Sequence, residues 1–219
     1  MAPPRVAACF HGFLRTGASM AWMGRGLRLA GYTDVVLPTF GYHLRSLDEN
    51  AERAAAALRG LRERHPDATI DIVTHSMGGL LARATLAHEP TPAIHRVVML
   101  SPPNRGAIMA AQVRGWLPVH TLGWDPLREL LPGAQDHRPA PRAEVGVLTG
   151  GRGDDVGYNR FLGGDNDLMV RVDEAWLPGA ADFHVVPVPH ALMPFHGEVV
   201  RQVQAFLTEG RFARAPTSG

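Results

Sequence analysis

Ser76, Asp167 and His190 are residues of the three types that together carry out nucleophilic catalysis, and they follow one another in that order along the chain. A serine hydroxyl is a weak nucleophile at neutral pH, so it needs a base, usually a histidine, that takes its proton as it attacks. The histidine in turn needs a carboxylate that fixes its tautomer and stabilises its charged form. We therefore predict a catalytic triad in which Ser76 is the nucleophile, His190 the base and Asp167 the acid.

The surroundings of Ser76 predict a sharp turn between a strand and a helix. Residues 69–73 are β-branched and apolar, as in a buried strand, and residues 80–87 have the composition of a helix. A serine at such a junction is typical of a nucleophile elbow, written G-x-S-x-G, which requires small residues two positions before and two positions after the serine. Gly78 meets this requirement. Thr74 departs from it, and its β-branched side chain predicts a slightly wider approach of helix and strand.

The negative charge that develops on a substrate carbonyl oxygen needs preorganised hydrogen-bond donors. We predict the backbone N–H of Met77, at the start of the helix, as one donor, and the backbone N–H of Phe13, which follows His11 and Gly12, as the other. Apolar residues near the site favour an acyl or other hydrophobic group in the substrate. The predicted substrate-binding residues are Phe13, Leu14, Trp116, Leu192 and Met193, and the same apolar rim includes Met77 and Phe195.

Other histidines and aspartates compete for these roles. His196 is the alternative base, although its place at the start of a predicted helix favours a capping or surface role. Asp165 and Asp173 are the alternative acids, since loop aspartates commonly form turns. His75 adjoins the nucleophile, and because adjacent side chains diverge, we expect it to be a packed, hydrogen-bonded residue. We expect His11 to brace its loop.

Predicted strands and helices alternate along the chain. The strands are predicted at residues 5–10, 34–38, 69–73, 94–101, 144–149 and 182–188, and the helices at residues 20–30, 80–87 and 198–207. A further helix begins at the capping box of Ser46 and Glu49 and ends before Pro66. The alternation predicts an α/β fold with a mostly parallel sheet and helices on both faces. The residues predicted to be catalytic follow strands, so we expect them to meet at one rim of the sheet.

We predict one domain, residues 1–210, followed by a disordered tail, residues 211–219. Within the domain, residues 107–141, which we call the insertion, have an irregular pattern broken by prolines and glycines. Two explanations stay open. The insertion either covers a face of the sheet, or it forms a small cap that adds an apolar wall to the site. A cap of this size predicts a preference for short to medium acyl groups.

The composition excludes several classes of function. A net charge of +1 gives no electrostatic reason to expect a nucleic acid or an anionic membrane as a partner. The single cysteine, Cys9, excludes an intrachain disulfide and a multi-cysteine metal site. No apolar run approaches the roughly 18 residues of a membrane helix, and no signal peptide is evident, so we expect a cytoplasmic protein without stable membrane insertion. The oligomeric state stays open, and no metal is expected.

The sequence resembles the α/β-hydrolase superfamily and, within it, the small bacterial lipases and esterases. The resemblance is carried by residues 11–13, by residues 74–79 and by the C-terminal part, residues 166–207. The order of serine, aspartate and histidine is also that of the superfamily. Residues 101–106 are similar to a loop of lipase-like proteins, whereas the insertion matches poorly. Position 74 is mostly Gly or Ala in the family and is Thr here.

The resemblance implies an α/β-hydrolase fold and a serine hydrolase that cleaves small-molecule carboxylic esters through an acyl-enzyme on Ser76. In the family the acid lies in an Asp-x-x-Val segment, as in residues 167–170, and the base lies shortly before the last helix, as His190 does. No cofactor is implied. An acyltransferase or a thioesterase would use the same residues. A non-catalytic binding protein on a hydrolase scaffold is a further alternative, which the complete triad disfavours.

Overall fold

A computed structural model of the chain describes residues 3–42, 44–87, 91–116, 125 and 127–214, without the side chain of Trp116. The strands of this part of the chain form one sheet in the order β2-β1-β3-β4-β5-β6, and every neighbouring pair is parallel. This confirms the predicted α/β fold with a parallel sheet. The strands are β1 (Arg5–Phe10), β2 (Asp34–Val36), β3 (Thr69–His75), β4 (Arg96–Leu100), β5 (Glu144–Gly150) and β6 (Asp182–Val186).

Helices cover both faces of the sheet, each over its own hydrophobic cluster. Side chains of α2 and α3 belong to one cluster, and side chains of α1 and α6 belong to the other. The α-helices are α1 (Ala21–Leu29), α2 (Leu47–Arg64), α3 (Met77–Ala87), α4 (Ile108–Trp116), α5 (Val172–Ala175) and α6 (Gly197–Glu209). Short 3₁₀ helices lie at Gly17–Met20, Arg128–Leu130 and His190–Phe195. None of the helices described is long and apolar enough to cross a membrane.

Local signals set the limits of α2. The Ser46 hydroxyl accepts a hydrogen bond from the Glu49 N–H at 3.2 Å, and the Glu49 carboxylate accepts one from the Ser46 N–H at 2.8 Å. These two bonds are the predicted capping box. The helix ends at Arg64, two residues before Pro66. Its apolar stripe faces the core and is fully buried; the stripe consists of Leu47, Ala51, Ala54, Leu58 and Leu61.

Several predicted boundaries differ from the structure by one to three residues. The helix after the serine begins at Met77 rather than at residue 80, because α3 includes Gly78 and Gly79, whose poor helix propensity is overridden by tertiary packing. Strand β2 ends at Val36 and strand β6 at Val186, so both are two residues shorter than predicted.

The prediction of a disordered tail is wrong for residues 211–214. Phe212 is buried in the cluster beneath α6, and its ring lies 5.0 Å from that of Phe206, measured between centroids. The N–H of Phe212 also donates a hydrogen bond to the Asp182 carboxylate at 2.8 Å. Burial of Phe212, together with hydrogen bonds between this segment and the side chains of Asp182 and Gln202, holds residues 211–214 against the core. Residues 215–219 lie outside the described part.

The C-terminal part of the insertion is bound to the rest of the fold by Arg83, a buried residue of α3. Its guanidinium donates hydrogen bonds to the carbonyl oxygens of Asn104, Gln135 and Pro139 at 3.0, 3.0 and 3.3 Å. It also donates to the carbonyl oxygen of Arg138. Several backbone carbonyls, rather than a carboxylate, thus satisfy this buried cation, and they fix the end of the insertion to α3.

Candidate active site

Ser76 occupies the single position between the end of β3 and the start of α3, with a φ of 54°. A positive φ is strained for a residue with a side chain, and such strain is typical of functional turns. The turn brings α3 directly over β1. A Cβ atom at Gly78 would lie only 2.5 Å from the carbonyl oxygen of Phe10, so only glycine fits there. Residues 74–79 therefore have the geometry of a nucleophile elbow, and we call them the elbow.

The elbow accommodates Thr74 despite its β-branch. Thr74 is fully buried, and its hydroxyl lies 3.5 Å from the place where a Cβ atom at Gly79 would stand. The same Cβ would lie 2.8 Å from Cβ of Pro102, so position 79 also requires glycine. The room that a small residue at position 74 would supply is here supplied by a second glycine of α3.

His190 and Asp167 form a buried hydrogen-bonded pair in which Nδ1 of the imidazole lies 2.7 Å from Oδ2 of the carboxylate. A carboxylate only accepts, so Nδ1–H donates, which leaves Nε2 as the nitrogen that carries the lone pair in the neutral ring. The other carboxylate oxygen accepts from the N–H groups of Met169 and Val170 at 3.0 and 2.8 Å. The N–H of His190 donates to the carbonyl oxygen of Asp167 at 2.8 Å. Backbone contacts thus hold the pair in the tautomer that a general base needs.

Ser76 and His190 line one pocket of about 370 Å³. Phe13 and Leu14, both predicted to bind substrate, line it as well. Much of the remaining lining comes from the insertion, and we call these side chains the insertion wall; they are Ala107, Met109, Ala110, Val113, Leu127 and Leu130. The other lining residues include Gly12, Arg15, His75, Pro103, Met169, Val170 and Ala191. The pocket is therefore mainly apolar, and its lining includes Ser76 and His190, two of the predicted catalytic residues.

Of the residues predicted to lie on the rim, Met193 does not, because it is buried in the core, whereas the rim positions of Leu192 and Phe195 stay predictions. None of them lines the pocket in the described part of the chain. The segment is a 3₁₀ helix, in which residues three apart lie on the same side, so Met193 follows His190 inward and is buried in the core. Leu192 and Phe195 are exposed. The side chain of Met77 is also buried in the core, so this residue offers only its backbone N–H.

Sequence reasoning missed most of the insertion wall. Ala107, Ala110 and Val113 are spaced three residues apart, which is a stripe on one side of a helix. That signal was hidden by the surrounding prolines and glycines. The predicted substrate contact of Trp116 lies outside the described residues, because its side chain is not described.

The two predicted oxyanion donors lie at the elbow and on the loop beside it. Met77 is the first residue of α3, so its N–H is one of those that have no partner within the helix. Gly12 precedes Phe13 and packs on the elbow, since a Cβ atom there would lie 3.0 Å from Cβ of Ser76. The absence of a side chain at position 12 thus lets the loop with the Phe13 N–H approach the serine.

Positive φ angles cluster around this rim. The non-glycine residues with positive φ in the described part of the chain are Leu14, Ser76, Ser101 and Leu168. They lie in the segments that follow β1, β3, β4 and β5 at the carboxyl end of the sheet. Strained backbone of this kind persists only where the surrounding structure holds it, and it is common at functional sites.

The competing candidates have other contacts. Asp165 accepts hydrogen bonds from the N–H groups of Arg152 and Gly153 at 2.7 and 2.8 Å, so it braces the loop after β5. Asp173 is exposed and pairs with Arg171. His196 precedes α6 as an exposed residue whose side chain makes no capping hydrogen bond. None of these three candidates is among the described residues that line the pocket.

His11 braces its loop as predicted. Its Nε2 atom accepts a hydrogen bond from the N–H of Phe40 at 2.8 Å, so Nδ1 carries the hydrogen and donates to the carbonyl oxygen of Gly12 at 2.8 Å. Burial lowers the pKa of His11, which agrees with a neutral ring. His75 is also buried and hydrogen-bonded, as predicted: its Nε2 atom lies 3.0 Å from the carbonyl oxygen of His190.

The described residues include no group of three or more His, Cys, Asp or Glu side chains that could hold a metal ion. Cys9, on strand β1, is buried, and burial raises the pKa of its thiol to about 12. A thiol with so high a pKa is not a nucleophile at neutral pH.

Several solved structures share this fold. The mature lipase BlEst2 of Bacillus licheniformis matches with a TM-score of 0.73 and 19% identity, over 96% of this chain and 93% of that chain. The match to the propeptide form of the same lipase covers 52% of that chain. The metagenomic carboxyl esterase MGS0156 matches with a TM-score of 0.70 and 16% identity, over 97% of this chain and 72% of that chain. A putative thioesterase from a Silicibacter species matches with a TM-score of 0.59 and 18% identity, over 93% and 73% of the two chains.

These structures and the sheet topology show that the chain has the fold of the α/β-hydrolases. Residues 5–121 match the model of a domain of unknown function, DUF7379, and the chain belongs to that family. No curated protein matches the sequence.

Proposed function

We propose that this protein is a serine hydrolase that cleaves carboxylic esters through an acyl-enzyme on Ser76. The observation that carries the proposal is that one apolar pocket is lined by both a strained serine on an elbow and the histidine of a buried His–Asp pair. A structural role for the serine explains neither the His190 tautomer nor the strained turn.

The geometry supports the following reaction. Nε2 of His190 takes the proton as Oγ of Ser76 attacks the ester carbonyl carbon, and Asp167 stabilises the resulting imidazolium. The N–H groups of Phe13 and Met77 donate to the oxyanion. The tetrahedral intermediate then collapses, and the alcohol leaves with the proton from Nε2. A water molecule, activated by the same nitrogen, attacks the acyl-enzyme, releases the acid and restores the hydroxyl.

The pocket supports a short to medium acyl group or another hydrophobic group of similar size. Its volume of about 370 Å³ lies near the lower end of the roughly 300–1,000 Å³ that is common for ligand pockets. Its lining is apolar apart from the candidate catalytic residues, His75 and Arg15. A sugar or a highly charged substrate would leave its polar groups without partners against such a lining.

Thioester hydrolysis and acyl transfer are alternatives that use the same residues. One structural relative is named as a putative thioesterase, which makes this alternative worth a direct comparison. An oxoester and a thioester with the same acyl group would be compared by kcat/KM. Transfer would be measured as the fraction of acyl groups that reach an added alcohol instead of water.

The test of the proposal is covalent labelling. Intact mass should show one fluorophosphonate adduct on the wild-type protein, none on Ser76→Ala, and loss of nitrophenyl ester hydrolysis in that variant. Ser19→Ala is the matched control, because Ser19 lies outside the pocket lining and its hydroxyl donates to the carbonyl oxygen of Thr16. Undiminished turnover by Ser76→Ala would refute the mechanism.

A further inference from the structure

His75 is a buried residue at the end of β3 that contacts three parts of the site but takes no part in the proton transfers above. It directly precedes Ser76. Its ring lies 4.8 Å from the ring of His190, measured between centroids, with 45° between the planes. It also lies against the oxyanion loop, since a Cβ atom at Gly12 would come within 3.2 Å of its Nδ1 atom.

The hydrogen bond between His75 and the base has a defined direction. The carbonyl oxygen of His190 only accepts, so Nε2 of His75 carries the hydrogen and donates it over 3.0 Å. Burial, followed by the nearby His190 and then by Arg15 and His11, holds the pKa of His75 well below its usual range. The ring is therefore neutral, and it adds no positive charge beside His190 when that residue takes the proton of Ser76.

The surroundings of Nδ1, the other ring nitrogen of His75, indicate that this residue does more than fill space in the core. Nδ1 of His75 is buried and has no hydrogen-bond partner among the described residues. A buried acceptor without a partner destabilises the folded state, so an apolar side chain of similar size would fill this position at a lower energetic cost. The donor at Nε2 is what distinguishes histidine from such a residue here.

We propose that His75 is a positioning residue for the reaction proposed above: its Nε2–H bond to the carbonyl oxygen of His190 fixes the base relative to the nucleophile, which is the next residue in the chain. Ser76 and His190 are 114 positions apart, and they belong to loops that follow β3 and β6. Those strands are not neighbours in the sheet. The His75 bond is a direct link between the two loops. The inference rests on the proposed function, because it assigns a partner to the proposed base.

The test compares two amides of different reach. Glutamine at position 75 brings its NH₂ group close to the place of Nε2, whereas asparagine, one methylene shorter, brings its NH₂ group close to the place of Nδ1. We expect His75→Gln to keep kcat within about fivefold of wild type. His75→Asn is expected to lose about 50-fold or more in kcat with little change in KM, since a misplacement of about 1 Å can reduce a rate by 10²-fold. Fluorophosphonate labelling of Ser76 should slow in parallel.

His75→Leu keeps the comparison usable if the asparagine variant is too unstable to purify. It removes the donor and also the unpartnered acceptor, so it should lose kcat without a matching loss of melting temperature. Equal kcat in the glutamine and asparagine variants, or a loss confined to KM, would overturn the positioning role. Ser76→Ala in the same assay separates the two failures, because turnover that survives in it refutes the proposed function itself.

Discussion

On one side of the pocket, the elbow packs backbone against backbone so tightly that position 78 has no room for a Cβ atom. On the other side, the insertion wall presents side chains, and Gly115 of α4 stands in open space. The elbow holds one side chain in one strained place, as a reacting group requires. The insertion wall gives the pocket its apolar surface, which many combinations of side chains can supply. We therefore expect changes at the elbow to affect the reaction, and changes in the insertion wall to affect the choice of substrate.

The largest effects should come from His190 and Asp167, the proposed base and acid. His190→Ala is expected to be as severe as Ser76→Ala, because triad members act as a unit. Asp167→Asn should lower kcat by about 10⁴-fold, since the imidazole would no longer be held in the required tautomer. Asp165→Asn is the matched control in the same loop and should have a much smaller effect. The measurement is steady-state hydrolysis of a soluble ester. If Asp165→Asn lost most of its activity while Asp167→Asn stayed active, Asp165 rather than Asp167 would be the acid.

A pair of glycine substitutions should separate the two sides by the sign of their effect on stability. Gly78→Ala places a methyl group against the carbonyl oxygens of Phe10 and His11, at 2.5 and 2.9 Å, so the backbone must move. We expect a loss of about 3 kcal/mol in the free energy of unfolding, together with a loss of activity. Gly115→Ala should instead stabilise the protein by about 0.5–1 kcal/mol, because alanine is the better helix former. Urea denaturation measures the free energy of unfolding of both variants. Equal changes in that free energy would mean that the elbow is not packed more tightly than α4.

Acyl-chain selectivity should respond to the insertion wall. Ala110 is buried and lines the pocket, so Ala110→Leu should reduce kcat/KM for medium-chain esters by about tenfold and leave the shortest ester nearly unchanged. Ala111→Leu on the same helix is the control, because Ala111 is exposed and does not line the pocket. The measurement is kcat/KM against acyl length for soluble nitrophenyl esters. A uniform loss across all lengths with a lower melting temperature would indicate that the insertion wall only covers the sheet.

The smallest expected effect concerns the pH dependence of stability on the elbow side. The pKa of His75 is well below its usual value of 6.5 in the folded chain, chiefly because of burial. Below about pH 6.5 the unfolded chain therefore binds a proton at this position that the folded chain does not. The contribution of His75 to stability is fully present above that pH and is lost as the pH falls toward the folded-state pKa. His75→Gln should therefore lose less melting temperature than wild type between about pH 7 and pH 5. Equal losses of melting temperature in wild type and His75→Gln over this pH range would contradict the prediction.

Local signals in the sequence were enough for the elements and for part of the site. The capping box, the apolar stripe and Pro66 define α2 within a few residues, because helix ends and faces depend on contacts one turn apart. The run of a β-branched strand, Ser76 and a helix likewise predicted the elbow. The alternation of strands and helices predicted which loops share the carboxyl rim of the sheet, where Ser76 and His190 line one pocket and Asp167 contacts His190.

Contacts between distant segments were decided only by the tertiary structure. The bond from His75 to His190, the burial of Phe212 beneath α6 and the carbonyl partners of Arg83 join residues far apart in sequence. Met193 was wrongly predicted to lie on the rim for a related reason. The direction of its side chain is set by a 3₁₀ helix that is too short to show an apolar period in the sequence. Local energies specify helices, strands and turns along the chain. Which side chains then form the pocket depends on how the strand order and the packing of helices bring those elements together.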